Sequence, residues 1–233
     1  MYMRKVVLLG LAIISFSTYS QEKDIDSRRD VVGDITVNGS GLWTNPVSYA
    51  KVKGDVYLFN NWKNIATIIS GKGKKYMLSN LNYDTSQDRF VTKTSPDSVF
   101  VFGKQSIKQV KVNNKIFKRY LKNDRYDYYE QVAFGKGKEV LKRQVKLIKK
   151  GIKDPFTNAY KSDKYVLKTK YFFNSEEGIR EFKLRKKSFL SCFGEDSNQV
   201  KRIIKMHKIT LREDSDFVNI FKFYKKNKIE KKA

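Results

Sequence analysis

Few residues in this chain are equipped for chemistry, and their spacing points mostly to structure. His207 is its one histidine and Cys192 its one cysteine. A histidine metal cluster, an HExxH helix, a cysteine-type zinc site and an internal disulfide are therefore excluded. Cys192 and His207 could form a nucleophile–base couple if helices brought them together. Cys192 stands in the apolar segment Ser188-Phe-Leu-Ser-Cys-Phe193, however, which predicts a buried, inert thiol. His207 falls on the apolar face of a predicted helix, the usual place of a packed or surface histidine. Gly71-Lys-Gly-Lys-Lys75 and Gly135-Lys-Gly-Lys138 lack the GxxxxGK[ST] spacing of a phosphate loop and lead from no strand into a helix. They read as hairpin turns. Asp84 and Asp88 could pair or chelate calcium, but no Asp-x-Asp-x-Asp-Gly loop surrounds them, so turn residues are expected. The reading is of no catalytic residue, no metal ligand and no cofactor.

What remains is electrostatic. The 233 residues carry 49 Lys+Arg against 24 Asp+Glu, a formal charge of +25. Residues 21–100 hold 11 basic and 9 acidic side chains, whereas residues 101–233 hold 36 and 15, and 136–170 alone has 12 against 3. Such an asymmetry is a statement about partners: nucleic acid, lipopolysaccharide or another anionic glycan, anionic lipid headgroups, or an acidic envelope protein. The plain alternative is a lysine-rich chain that repels its own copies and stays soluble. No helix-turn-helix, zinc finger or RNP-type strand accompanies the charge, so nothing else speaks for nucleic acid.

The strand Val140–Lys150 concentrates the case. Period-2 alternation places Leu141, Val145 and Leu147 on one face, with Arg143 as an exception near the hairpin end, and Lys142, Gln144, Lys146 and Lys150 on the other, interrupted by Ile148. Lys168 and Lys170 alternate likewise along 164–173. If these strands pair with both lysine sets on one side, Lys142, Lys146, Lys150, Lys168 and Lys170 form a continuous face that would hold polyanions through charge alone. A solvated edge that discourages aggregation is the competing use of such lysines.

The elements that must position these residues are short. With 40% hydrophobic and 14% aromatic residues the chain can build a core, which excludes a disordered polyelectrolyte. Runs at 55–59 and 65–69 flank Asn60-Asn61 and predict a strand pair. Gly71–Lys75 turns into a run at 76–83, followed by strands at 89–93 and 98–102. Asn113-Asn114 tolerates positive φ and predicts a tight hairpin between 108–112 and 115–121. Gly135-Lys-Gly137 joins strands at 128–134 and 139–148, and 165–173 is the last strand. The period then changes to 3.6: helices are expected at 176–193, at 199–207, and through Phe217, Val218, Ile220, Phe221 and Tyr224 after Asp214-Ser215-Asp216. This order predicts an α+β fold, an antiparallel β-meander followed by three short C-terminal helices.

Before these elements, residues 1–20 read as a secretory signal peptide, and residues 21–42 as a flexible lead-in. Arg4 and Lys5 precede an apolar run from Val6 to Phe16, and Thr18 and Ser20 stand at the −3 and −1 positions of a cleavage site before Gln21. Eleven helical residues rise only about 16 Å against a hydrocarbon core of roughly 30 Å, too little to span. A single α+β domain is expected over 43–233, β-rich at 43–173 and helical at 174–228, with no transmembrane span in the mature chain.

The succession Leu78–Asp84 with Phe90-Val91, Tyr129-Glu130 with Val132, Gly135 and Gly137, Val140-Leu141-Lys142, Tyr171-Phe172-Phe173, Lys186-Lys187 with Phe189-Leu190, and Phe223-Tyr224 resembles an uncharacterised family of exported hypothetical proteins of Bacteroidota. Asn82-Tyr83 reverses that family's usual Tyr-Asn order. The resemblance implies envelope residence and transfers no catalytic residue. The functional expectation is a non-enzymatic exported cell-envelope protein in the periplasm, at the outer-membrane periphery or outside the cell. Its basic half would serve as an interaction module. The alternatives are an envelope hydrolase acting on an anionic glycan or nucleic acid, and an accessory subunit of an outer-membrane assembly.

Overall fold

Turn residues with positive φ cut the apolar runs into strands, and a computed structural model describes the result for residues 41–46 and 52–226. The expected signal peptide and residues 21–40 of the lead-in lie outside the described residues. The strands are β1 (Gly41–Thr44), β2 (Val52–Lys53), β3 (Ala66–Ser70), β4 (Lys75–Leu78), β5 (Leu81–Asp84), β6 (Arg89–Ser95), β7 (Ser98–Phe102), β8 (Ile107–Val112), β9 (Lys115–Lys122), β10 (Arg125–Gly135), β11 (Lys138–Lys149), β12 (Asp163–Ser175) and β13 (Gly178–Phe182). Three helices follow: α1 (Lys186–Leu190), α2 (Ser197–Met206) and α3 (Asp214–Lys226). The fold is α+β, as expected.

The strands form two sheets. The smaller runs β1-β7-β6-β5; the larger runs β13-β12-β11-β10-β9-β8-β3-β4, with β2 added in parallel to β12. Two-residue turns set much of this register. Asn113-Asn114 and Lys136-Gly137 each hold two consecutive positive φ angles, the requirement of a hairpin turn that matches strand twist. Asn123-Asp124 does the same between β9 and β10, a third such turn that carries no glycine to announce it.

One face of the large sheet is covered twice. Ala66, Ile68, Val110, Phe117 and Tyr128 pack against Leu81, Tyr83, Phe90, Phe100 and Phe102 of the small sheet. Further along the same face, Ala133, Val140, Tyr171, Phe173 and Phe182 pack against Phe189, Phe193, Val200, Ile203, Phe217, Ile220, Phe221 and Tyr224 of the helical segment. The opposite face carries only a small cluster of Tyr129, Leu141 and Phe172, with Tyr120 and Ile179 against it.

Three expectations are corrected. The run at 55–59 forms no strand with 65–69: β3 pairs β4 and β8 instead, and 55–59 contributes only a bridge from Tyr57 to Asp84. The reason is Asn82, whose side chain accepts from the Phe59 N–H at 3.0 Å and donates to the Phe59 carbonyl at 2.9 Å, holding that run as a loop. The stretch 76–83 is broken by Asn80 at positive φ, which passes the chain from the large sheet to the small one. The helix expected at 176–193 is mostly the strand β13 and the short α1. Ile179 and Phe182 are three apart, which suits one helical face but equally the two faces of a strand. Gly178 at φ 95° closes a hairpin onto β12, and each residue finds a different apolar cluster.

Candidate functional site

The register places the five lysines singled out above. Lys142 lies opposite Tyr171, Lys146 opposite Leu167, Arg143 opposite Lys170 and Val145 opposite Lys168. Directly opposed residues share a face in an antiparallel pair. Lys168 and Lys170 therefore lie on the face opposite to Lys142 and Lys146, and the continuous lysine face does not form. An even-numbered residue of β11 faces an odd-numbered residue of β12, so lysines at even positions on both strands must diverge.

The individual surroundings reinforce this correction. Lys142 is buried, its ammonium bonded to Asp214 at the start of α3 and 3.1 Å from Glu130. Burial alone would lower its pKa, but the Asp214 hydrogen bond and the Glu130 charge raise it. Lys146 pairs with Asp55 at 3.0 Å and Lys150 with Asp163 at 2.8 Å. Lys170 pairs with Glu181 at 2.9 Å, and Lys168 is exposed.

A different constellation forms where the large sheet splits. β10 and β11 are registered only from Glu130↔Lys142 to Gly135↔Lys138. In place of further pairing, the turn between β5 and β6 supplies side chains. The Lys146 N–H donates to Thr85 Oγ1 at 3.0 Å, and the Tyr128 N–H donates to Asp88 Oδ1 at 3.4 Å. Asp84 holds that turn, its carboxylate accepting from the Ser86 and Gln87 N–H groups. This is the turn role expected for Asp84.

Asp88 does more. It accepts from the Tyr83 hydroxyl and from Lys104 Nζ, and Lys104 reaches Asp127 at 3.1 Å. The Arg143 guanidinium touches both carboxylates, 3.0 Å from Asp127 and 3.6 Å from Asp88, and Arg125 lies 3.1 Å from Asp127. Both carboxyl groups are nearly inaccessible to solvent. Burial raises Asp88 above the usual carboxylate range despite these cations, and burial together with the Asp88 charge drives the Tyr83 phenol far up. For Asp127 burial is outweighed by hydrogen bonds from Asp88, Arg125 and Lys104, which hold it down to about 2. The pair is thus split, Asp127 keeping its charge where Asp88 takes a proton more readily.

Asp127 and Arg143 open onto a groove of about 520 Å³ on the less covered face of the large sheet. Its walls set cations against cations: Lys122 lies directly opposite Arg125 across β9 and β10, and Arg143 directly opposite Lys170 across β11 and β12. Aromatic rings line it too. Lys122 Nζ stands 5.0 Å from the centre of Phe172, and the Arg143 guanidinium 5.9 Å from Tyr129. No ion pair joins Lys122 to a described residue. Of the five lysines only Lys170 lines this groove. Arg143 carries a sequence signal as the charged exception on the Leu141–Val145 face, whereas Lys122, Arg125 and Asp127 carry none, because the side chains meet across hairpins whose register is set elsewhere.

The other candidates take structural roles. The Cys192 thiol donates to the Ser188 carbonyl at 3.4 Å and is raised by burial. His207 stacks flat on Phe223 at 3.7 Å, so it faces an aromatic ring instead of a thiol. Among the described residues no group of His, Cys, Asp and Glu is arranged to hold a metal ion, and no helix is long and apolar enough to cross a membrane. Comparison with protein-family models, with curated proteins and with solved structures returned no match.

Proposed function

We propose that this chain is an exported, non-enzymatic cell-envelope module that binds an anionic glycan in the groove between Lys122, Arg125, Arg143 and Lys170. One observation carries the reading: four cations line a single groove as two directly opposed like-charge pairs. Asp127 and Glu181 in the same lining offset part of this charge through Arg125, Arg143 and Lys170, but cations stay in excess and Lys122 meets no acidic described residue, so a bound anion gains net attraction. Phe172 and Tyr129 are buried beneath the groove floor, where they carry Lys122 and Arg143 over their ring faces and hold those cations toward the opening. Binding rather than turnover is favoured because Asp88 and Asp127 are engaged by Lys104, Arg143 and Arg125, which fixes the carboxylates as the groove's support. The n-region, apolar run and small-residue cleavage pattern of residues 1–20 support export.

The test is affinity for lipopolysaccharide and for polygalacturonate at low and high salt, measured by titration calorimetry. Wild type should bind, and weaken steeply with salt. Lys122→Glu and Lys170→Glu should each reduce affinity by about tenfold, close to 1.4 kcal/mol, with melting temperature unchanged. Unaltered affinity in both variants overturns the groove as the site.

A further inference from the structure

The hairpin linking β11 to β12 ends in an apolar tip that none of the described residues covers. Phe156 is 94% exposed, Tyr160 77% and Ile152 69%. Scattered apolar side chains on a surface need no explanation, but these three share one loop whose backbone is held in place. The Asp154 carboxylate accepts from the Phe156 and Thr157 N–H groups at 2.9 and 3.0 Å. The Asp154 N–H donates to the Ala159 carbonyl at 2.8 Å, and the Lys161 N–H to the Ile152 carbonyl at 3.2 Å. The arms meet so closely at Gly151 that a β-carbon there would collide with the Lys161 carbonyl. Main-chain bonds thus fix a conformation in which the large apolar side chains gain no burial.

The charge around the tip says what covers it. Lys149, Lys150, Lys153, Lys161 and Lys164 flank it on both arms, against Asp154 and Asp163. Those two carboxylates are already used inside the hairpin, Asp154 by its turn and Asp163 by the Gly151 N–H and Lys150. Lys149 lies directly opposite Lys164 in the register, and no ion pair joins either to a described residue. An exposed aromatic tip ringed by lysines matches a surface that is apolar a few ångströms below a negative layer. We infer that this hairpin is a membrane-surface anchor, with Phe156, Ile152 and Tyr160 entering the headgroup–acyl boundary of an anionic bilayer and the lysines meeting its headgroups.

Co-sedimentation of the mature chain with phosphatidylcholine vesicles, with and without phosphatidylglycerol, tests this. Wild type should bind the anionic vesicles and leave the neutral ones largely unbound. The double variant Ile152→Ser with Phe156→Ser should lose about tenfold in partitioning, and Lys149→Glu with Lys164→Glu a similar amount. All four positions are exposed, so a thermal melt should show wild-type stability. In Phe156→Trp the added tryptophan emission should shift to the blue with anionic vesicles and be quenched by brominated acyl chains. Undiminished sedimentation of the serine double variant, or an unshifted Phe156→Trp spectrum, overturns the anchor. So does a wild-type dimer that depends on Phe156. The groove variant Lys122→Glu should sediment as wild type does. Loss of vesicle binding in that variant alone assigns the lipid contact to the groove instead and refutes the hairpin.

Discussion

Asp127 shows how one side chain can link stability to pH. Its folded pKa lies near 2, well below the usual value near 3.9, so it favours the folded state at neutral pH. That contribution is present above about pH 4 and is lost as pH falls toward 2, by about 2 kcal/mol. Asp88 works the other way: its raised pKa means its own contribution is fullest in acid and falls as it ionises. Asp88 thus offsets part of the Asp127 loss, and between pH 5 and 2 Asp127→Asn should flatten the acid limb of the thermal melt relative to wild type while lowering stability at pH 7. A variant whose acid limb parallels wild type would remove Asp127 from the network. Little of this cluster is legible before folding. Asp88 could be picked out beside Asp84, but its partners Lys104 and Asp127 stand 16 and 39 positions away and carry no local pattern.

At the scale of elements, legibility followed how local the determining contact was. Turns that need positive φ could be read directly, as Asn113-Asn114 shows, because the requirement lies in the two residues themselves. The final helix could be read from its spacing, and Phe217, Ile220, Phe221 and Tyr224 are all buried as expected, whereas Val218 turns outward to solvent. Glu176–Phe193 misled because apolar residues three apart serve a helix and a two-faced strand equally, and only the tertiary surroundings decide. Phe221 rests among Phe193 and Tyr224 with ring centroids 5.9 and 6.0 Å away. Phe221→Ala should cost about 3–5 kcal/mol by chemical denaturation. An unchanged midpoint would show that α3 is dispensable to the core.

For the whole molecule, the junction between the two covers of the large sheet rests on Lys142. Along β10, Tyr128 belongs to the contact with the small sheet and Ala133 to the contact with the helices, and Glu130 lies between them. Lys142 joins Glu130 to Asp214, to which the Tyr171 hydroxyl also donates at 2.8 Å. Lys142→Met leaves Glu130 with Lys115 as its one cationic partner among the described residues. About 3 kcal/mol should be lost. Hydrogen exchange should accelerate across α3 before the small sheet; equal acceleration in both would deny Lys142 its joining role. The inserted β5–β6 turn has its own consequence, in time rather than in energy. Its Asp88 and Thr85 receive their N–H partners from Tyr128 and Lys146, 40 and 61 residues further along the chain. A growing polypeptide that stops short of residue 146 carries the wedge without the second strand it separates. The small sheet can assemble early and pack on β3, β8 and β9, but the Thr85 contact waits until the chain has doubled back through four more strands to β11, so closing this junction belongs to the late, slow part of folding.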